Sequence, residues 1–495
     1  MHVTLLAGIF LVGCWLRLTL LGQQSLWFDE ADVVVRAQQD LMTVLRTFVQ
    51  PGENGPLYNL LLHAWITVFG SSETAVRLPS AIAGVLTLPL IYVVGSRTLG
   101  PRVGLFAMGL LAISPYHVWY AQEAKMYALA VLLTLLSTAL LIGALRHGTR
   151  RWWAAYVVAT TLAFYLHVTT VLVFVAQSVF VLLTWRRWRE RHRGWAVSVA
   201  LLTLPYLPIA LWAARVVGGE AITWQPAVSL GEMVRITATK FAVNRADLVT
   251  EERATVLYAV LALIGVVGAA LLGRHREARS AEKTRWVLLF VLLVVLPIGG
   301  FYLLTLRQPL FSDRYLIMAL PGYLLLVAAG VRLLERRLWL LAPIAVFAVI
   351  AYAWVPLRDV NRSTLSQKED WRGAYAMVAT YAEPDDLLLI HPGYLITTYE
   401  YYAQHIDGLA NLKASTIPSF RVEGFDAHQM ALWVRRDAPS TRVWLIQSPD
   451  RVRGEDPDAA LEGWLARGGA PRYHNRFNGV EIALYQLPPP ALDPP

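Results

Sequence analysis

The chain has 495 residues, 56% of them hydrophobic and 16% charged, with a mean hydropathy of +0.45. A water-soluble globule could not hide that much apolar surface, so the composition points to a polytopic membrane protein. The net charge of +9 does not indicate a nucleic-acid partner, because the arginines cluster in short loops between apolar runs, where topology signals sit. Cys14 is the one cysteine, which excludes an intrachain disulfide and a cysteine-based metal site.

In chain order, apolar runs fall at 3–21, 77–97, 103–116, 126–145, 152–167, 169–185, 195–214, 254–273, 286–306, 315–331 and 338–357. These predict about eleven membrane spans. The first lacks a basic leader and a small-residue cleavage site, so it reads as a retained span. Residues 56–69 are apolar but short and read as an interfacial helix. Arg97 and Arg102, the 146–151 loop, the RRWRERHR run at 186–193, the 274–285 loop and 332–337 all fall on one side if the N-terminus is cytoplasmic. Loops 22–76, 117–125, 215–253 and 307–314 then lie outside, as does everything after Leu357. From Arg358 the composition becomes charged and regularly interrupted. Helices are predicted at 371–382, 395–404 and 459–467, and strands at 386–391, 442–447 and 480–487. They predict a small C-terminal extracytoplasmic α/β domain over 358–487, followed by a Pro-rich disordered tail at 488–495. Residues 1–357 form the membrane domain, with loop 22–76 as its first outer loop.

Polar residues collect on the predicted outer side. Asp29 and Glu30 follow the first span, and Glu53 and Asn54 precede the interfacial helix. The stretch 114–127 (SPYHVWYAQEAKMY) reads as a dense outer loop carrying His117, Tyr120, Gln122, Glu123, Lys125 and Tyr127. His167 lies at the outer end of one span, and Asp313, Arg314 and Tyr315 at the start of another. Each also has a structural explanation. Asp29 and Glu30 suit a helix N-terminus, His117 and His167 suit an interface, and Glu123 and Lys125 could form a local ion pair. Arg314 could snorkel to headgroups, and Glu53 could be a solvated loop charge. Together, acidic and cationic groups at membrane depth suit a site that binds an anionic headgroup and needs a base. The patches Asp370-Trp371-Arg372 and His391-Pro392-Gly393-Tyr394 suit either acceptor selection or domain docking.

The ordered stretches WFDEA, PLYNLLLHAWITVFGSSETAVRLPSAIAGVLTLPLIYVVG and SPYHVWYAQEAKMYAL resemble the N-terminal half of family 39 glycosyltransferases. These are GT-C-fold membrane enzymes related to dolichyl-phosphate-mannose protein mannosyltransferases and bacterial lipid A aminoarabinose transferases. The resemblance covers about residues 10–145 and continues more weakly through YLHVTTVLVF, DRYLIMALPGYLLL and EDWRGAYAMVATYAEPDDLLLIHPGY. It implies inverting transfer of a sugar from a polyprenyl-phosphate donor to a protein, lipid or glycan hydroxyl at the outer face of the cell (inner or plasma) membrane. Asp29 matches the base of the first-loop acidic motif, with Glu30 supporting it, and Glu123 matches the second-loop acidic position. Arg314 suits the departing phosphate because its guanidinium is bidentate and always charged. Lys125, Tyr127 and Tyr315 are further candidates for that contact. Glu53, Asn54, His117, Tyr120, Gln122 and His167 are candidates to line the site or meet the acceptor. Two departures stand out. Lys125 lies where the family often has Arg, and Asn54 where related lipid A transferases have a phosphate-binding Lys.

No cofactor is assigned. Asp29, Glu30, Glu53 and Glu123 could supply oxygen ligands to Mg²⁺ or Mn²⁺, and cation use varies among C-fold enzymes. The competing reading is a polytopic lipid or sugar transporter or flippase with an accessory outer domain. Such a protein should carry ionisable residues mid-span and repeated, broken helices, and the spans here carry little charge and no such repeat.

Overall fold

The computed structural model describes residues 2–47, 55–215, 226–273, 278–360, 368–416, 442–456 and 459–487. Glu53, Asn54 and the Pro-rich tail at 488–495 lie outside them. The N-terminal helices are α1 (His2–Leu18), α2 (Phe28–Ala37), α3 (Leu41–Thr47), α4 (Leu57–Phe69), α5 (Glu73–Thr98) and α6 (Pro101–Ala112). Then come α7 (Pro115–Ala121), α8 (Tyr127–His147), α9 (Arg150–Phe164), α10 (Val171–Leu183), α11 (His192–Arg215) and α12 (Leu230–Val243). They are followed by α13 (Leu248–Gly273), α14 (Ala278–Thr305), α15 (Leu320–Arg337) and α16 (Leu341–Val360). A 3₁₀ turn, Asp313–Ala319, leads into α15.

Among the described residues, six helices are long and apolar enough to cross a membrane, or seven if the bent pair α6–α7 counts as one span. The apolar helices Val3–Leu18, Leu57–Phe69 and Val168–Leu183 are shorter. The first predicted run extends to 21, but its helix stops at Leu18, and Leu20 then takes a positive φ of 63°.

The chain divides into two compact units, one of Met1–Leu21, Asp40–Trp65 and Arg77–Asn361, the other of Gly22–Gln39, Ile66–Val76 and Arg362–Pro495. In the helical unit, α15 is the central element. It packs against α6, α13, α14 and α16, and its first residues, Leu320 to Ala328, are all buried. Gly330 permits the closest crossing, since a Cβ there would meet the Leu261 carbonyl oxygen of α13 at 1.9 Å.

The stretch expected as an outer loop at 114–127 is largely helical. Pro115 cannot continue α6, so that helix ends at Ala112. Ser114 then caps the new helix by accepting from the His117 N–H at 3.4 Å. Pro115 occupies the first helical turn of α7, where its missing N–H costs nothing. The two axes differ by 62°.

The break leaves carbonyls at the end of α6 inside an apolar environment, and Arg17 of α1 satisfies them. Its Nη1 donates to Gly13 O and Ala112 O, both at 3.0 Å, and its Nη2 to Leu111 O at 2.7 Å. Nη2 also donates to His117 Nδ1 at 2.9 Å. A guanidinium at a helix C-terminus also opposes the negative end of the helix dipole. In return, Gln122 Nε2 donates to Leu16 O and Thr19 O at the end of α1, at 2.9 and 3.1 Å.

The second unit is α/β. Its strands β1 (Leu387–His391), β2 (Lys413–Thr416), β3 (Arg442–Gln447), β4 (Tyr473–Phe477) and β5 (Val480–Gln486) form one sheet in the order β2-β1-β3-β5-β4. β1 pairs in parallel with β2 and β3, whereas β5 pairs antiparallel with β3 and β4. Leu387, Leu389, Val443, Leu445, Ala483 and Tyr485 form a core on one face, closed by Leu461 and Leu465. Helices α17 (Trp371–Tyr381) and α18 (Ile396–Tyr402) occupy the predicted helical positions, and α19 (Pro449–Glu455) precedes α20 (Ala460–Leu465).

Replacing Arg17 by Met should strand the Leu111 and Ala112 carbonyls and cost about 1–3 kcal/mol. Thermal unfolding of the detergent-solubilised protein checks this, and an unchanged midpoint would refute the clamp.

Candidate active site

Two polar constellations stand out, one in each unit. The first is built on α7, α8, the turn before α10 and the 3₁₀ turn before α15. The Arg314 guanidinium lies over the Tyr315 ring at 5.8 Å and the Tyr127 ring at 5.9 Å. His167 stands beside both, with ring centroids 5.3 Å from Tyr315 and 6.0 Å from Tyr127. The Tyr120 ring packs against Tyr127 at 5.1 Å and against Tyr116 at 4.9 Å. Tyr120 lies within the electrostatic reach of Asp313, Glu123 and Arg314, and His167 within that of Arg314 and Lys125. Seven of the sequence-predicted residues therefore share one cluster: Tyr120, Glu123, Lys125, Tyr127, His167, Arg314 and Tyr315.

The local chemistry of that cluster is specific. Glu123, Tyr127 and His167 are buried, while Lys125, Arg314 and Tyr315 are half-buried. The His167 Nδ1 accepts from the Thr169 backbone N–H at 3.3 Å and meets its hydroxyl at 2.8 Å. The proton of the neutral imidazole must then sit on Nε2, which makes His167 an N–H donor beside the Arg314 guanidinium. Lys125 is fixed through its backbone, whose carbonyl accepts from Ser80 Oγ at 2.8 Å, and Ser80 in turn meets the Tyr58 hydroxyl at 3.1 Å. Rings around a guanidinium hold it by cation–π attraction and strip water from it, which strengthens its pull on an anion.

Sequence reasoning missed Lys240 on α12. Burial holds its ammonium below the usual lysine range, and Asp313 opposes that shift. It belongs to the predicted loop 215–253, where a lone lysine gives no signal of its own.

His117 and Gln122 also have a structural task. Both hold the α1–α7 joint, His117 by accepting from Arg17 and Gln122 by capping α1. Because Arg17 can only donate, the His117 proton also lies on Nε2.

The second constellation surrounds the acidic pair. Trp27 is the N-cap of α2, and Asp29 and Glu30 stand in its first turn, where the helix dipole favours them. The pair splits sharply in environment. Glu30 is 0% exposed, and its Oε2 accepts from Lys368 Nζ at 3.0 Å, with Lys368 itself only 6% exposed. Asp29 is half-buried. Glu369 then organises the surrounding turn. Its Oε2 accepts from the Phe28 N–H at 3.2 Å and the Trp371 indole at 2.8 Å, and its Oε1 from Arg451 Nε at 3.0 Å. The Arg451 guanidinium lies 4.9 Å over the Phe28 ring. Burial lowers the Arg451 pKa, but Glu369 and then Asp29 outweigh it and hold the group above its usual value.

The preceding residues are held as firmly. The Tyr402 hydroxyl accepts from the Leu26 N–H at 2.8 Å and donates to Glu73 at 2.7 Å. Arg372 binds Glu73 and the Gly22 and Gln23 carbonyls. The EDWRG stretch, noted in the sequence only as a patch, is thus the clamp on WFDEA.

Among the described residues, no group of three or more His, Cys, Asp or Glu is arranged to hold a metal ion. With one oxygen committed to Lys368, Glu30 is a poor ligand for a cation shared with Asp29.

Residues 51–212 match the family model described as dolichyl-phosphate-mannose-protein mannosyltransferase. No curated protein matches the chain by sequence. Among solved structures, ArnT from Cupriavidus metallidurans in its apo state aligns over 97% of both chains with a TM-score of 0.60 and 14% identity. The same protein bound to undecaprenyl phosphate aligns over 97% of both chains with a TM-score of 0.54 and 14% identity. The oligosaccharyltransferase AglB from Archaeoglobus fulgidus, in complex with an inhibitory peptide and a dolichol-phosphate, aligns over 97% of this chain and 74% of its own. Its TM-score is 0.54 and its identity 10%.

Lys368→Met should leave Glu30 buried without its cation and cost about 3–5 kcal/mol, whereas adding Glu30→Leu should restore most of the loss. Melting curves of the single and double variants test this, and a wild-type midpoint for Lys368→Met would contradict the pairing. The chain is therefore a multi-pass membrane protein with the GT-C glycosyltransferase fold, and its residues 51–212 match the dolichyl-phosphate-mannose-protein mannosyltransferase model.

Proposed function

We propose that the protein transfers a sugar from a polyprenyl-phosphate carrier to an acceptor hydroxyl at the extracytoplasmic face of the cell membrane. In this reading the N-terminus is cytoplasmic and the α/β unit extracytoplasmic, following the arginine asymmetry of the loops. The observation that carries the reading is the Arg314 guanidinium held between Tyr127 and Tyr315, with the His167 N–H beside it. It occurs in a fold whose solved relatives hold undecaprenyl phosphate and dolichol-phosphate.

The chemistry follows from charge flow. An acceptor hydroxyl is far too weak an acid to ionise at neutral pH, so a carboxylate must take its proton as it attacks the anomeric carbon. Asp29 is the proposed base. Glu30, neutralised by Lys368, serves as its structural partner and not as a second base. The acceptor oxygen bonds to the anomeric carbon from the side opposite the carrier, and the bond to the phosphate oxygen breaks with inversion. The electron pair leaves on the polyprenyl phosphate, whose charge rises in the transition state. Arg314, Lys125 and His167 are fixed donors for that charge, which is where preorganised cations lower a barrier most. Glu123, buried beside Tyr120, is proposed to orient the acceptor.

Purified protein incubated with labelled polyprenyl-phosphate sugars should consume a donor only when a hydroxyl acceptor is present. Arg314→Lys keeps the charge but loses the planar fork, and should raise the donor KM roughly ten-fold. Arg314→Met should lower kcat/KM by at least about a hundred-fold. Equal rates for all three proteins would remove Arg314 from the site. Movement of donor across vesicles without its cleavage would establish transport instead.

A further inference from the structure

We propose that the helical unit holds a second anion site, which takes the phosphate-bearing headgroup of an anionic membrane lipid. The site is a cavity of about 280 Å³ where α6, α13, α14 and α15 meet. It lies at the other end of α15 from Arg314. Arg336 is separated from Arg314 by 22 residues, about 30 Å at the helical rise, so one lipid phosphate cannot serve both positions.

The lining has the amphipathic character of a headgroup pocket. Among the described residues that line it, Lys283, Arg332 and Arg336 contribute positive charge, Ser280 a hydroxyl, and none is a carboxylate. Just outside, Glu335 accepts from both Arg332 and Arg102. Among the described residues here, the cations Lys283, Arg102, Arg332 and Arg336 outnumber the carboxylate Glu335. Leu99, Val103 and Val287 form an apolar wall beside these charges. A free phosphate ion gains nothing from such a wall, whereas a lipid extends its first methylenes along it. The helices framing the cavity include three long enough to cross the bilayer, which places their basic ends at headgroup depth.

The inference does not depend on the sugar-transfer reading. The test uses the full-length protein in detergent, with native mass spectrometry as the readout. Phosphatidylglycerol, phosphatidylcholine and inorganic phosphate are added in separate titrations. Phosphatidylglycerol should bind at least ten-fold more tightly than phosphatidylcholine and should resist displacement by millimolar inorganic phosphate. Lys283→Gln, a change at an exposed side chain, should weaken phosphatidylglycerol roughly five-fold, and the further change Arg336→Gln about five-fold again. Melting midpoints of both variants should match the wild type. Equal retention of the two lipids, wild-type retention by the double variant, or full displacement by inorganic phosphate would each overturn the proposal.

Discussion

A carboxylate sealed from water must either give up its charge or face a cation, and Glu30 faces Lys368. Much of the second unit follows from that requirement. Because Lys368 must reach the first turn of α2, Glu369 and Arg372 are brought to residues 22–28. Glu369 takes the Phe28 N–H, and Arg372 takes the Gly22 and Gln23 carbonyls. A short helix, which would be marginal by its own hydrogen bonds, is thereby fixed in register with the sheet that follows. Two neighbouring carboxylates, which would otherwise repel and raise each other's affinity for a proton, are given different environments. One is neutralised, and the other is left half-buried near a guanidinium.

The helical unit solves a related problem with backbone groups. A helix broken inside an apolar protein exposes carbonyls that water cannot reach. The Ser114-Pro115 break is stable because Arg17 supplies donors at that point. The break then turns α7 through 62°, and on that helix Tyr120 meets the Tyr127 ring while Tyr116 packs against Tyr120. Arg314 reaches the Tyr127 ring from the 3₁₀ turn before α15. The buried arginine in the first helix and the ring-stacked arginine before α15 thus do different work, one closing a helix end and the other presenting charge.

Hydropathy revealed the long helices, because twenty apolar residues are self-evident whatever their partners. It could not give α7 as a helix, since a seven-residue stretch of mixed character (PYHVWYA) has no readable period, although Ser114-Pro115 is a start signal. The α/β character of the C-terminal region was legible from β1, β3 and β5, which are buried apolar runs. The strands β2 and β4 were not, because Lys413–Thr416 and Tyr473–Phe477 are polar strands at the sheet edges. Motif order pointed to Arg314, Tyr127 and Glu123. The Lys368 partner of Glu30 lies 338 positions away, and the Arg17 partner of His117 lies 100 away. Pairings at such distance leave no local pattern, so the joint that His117 and Gln122 make with α1 could not be read from the sequence.

The central claim is that Asp29 does chemistry while Glu30 holds structure. Measuring kcat for sugar transfer and the melting midpoint for Asp29→Asn and Glu30→Gln side by side tests it most directly. Asp29→Asn should lose at least about a hundred-fold in kcat with its midpoint unchanged. Glu30→Gln should lower the midpoint by several degrees, because Lys368 is left charged and buried. An active Asp29→Asn protein, together with a fully stable but inactive Glu30→Gln protein, would contradict the assignment.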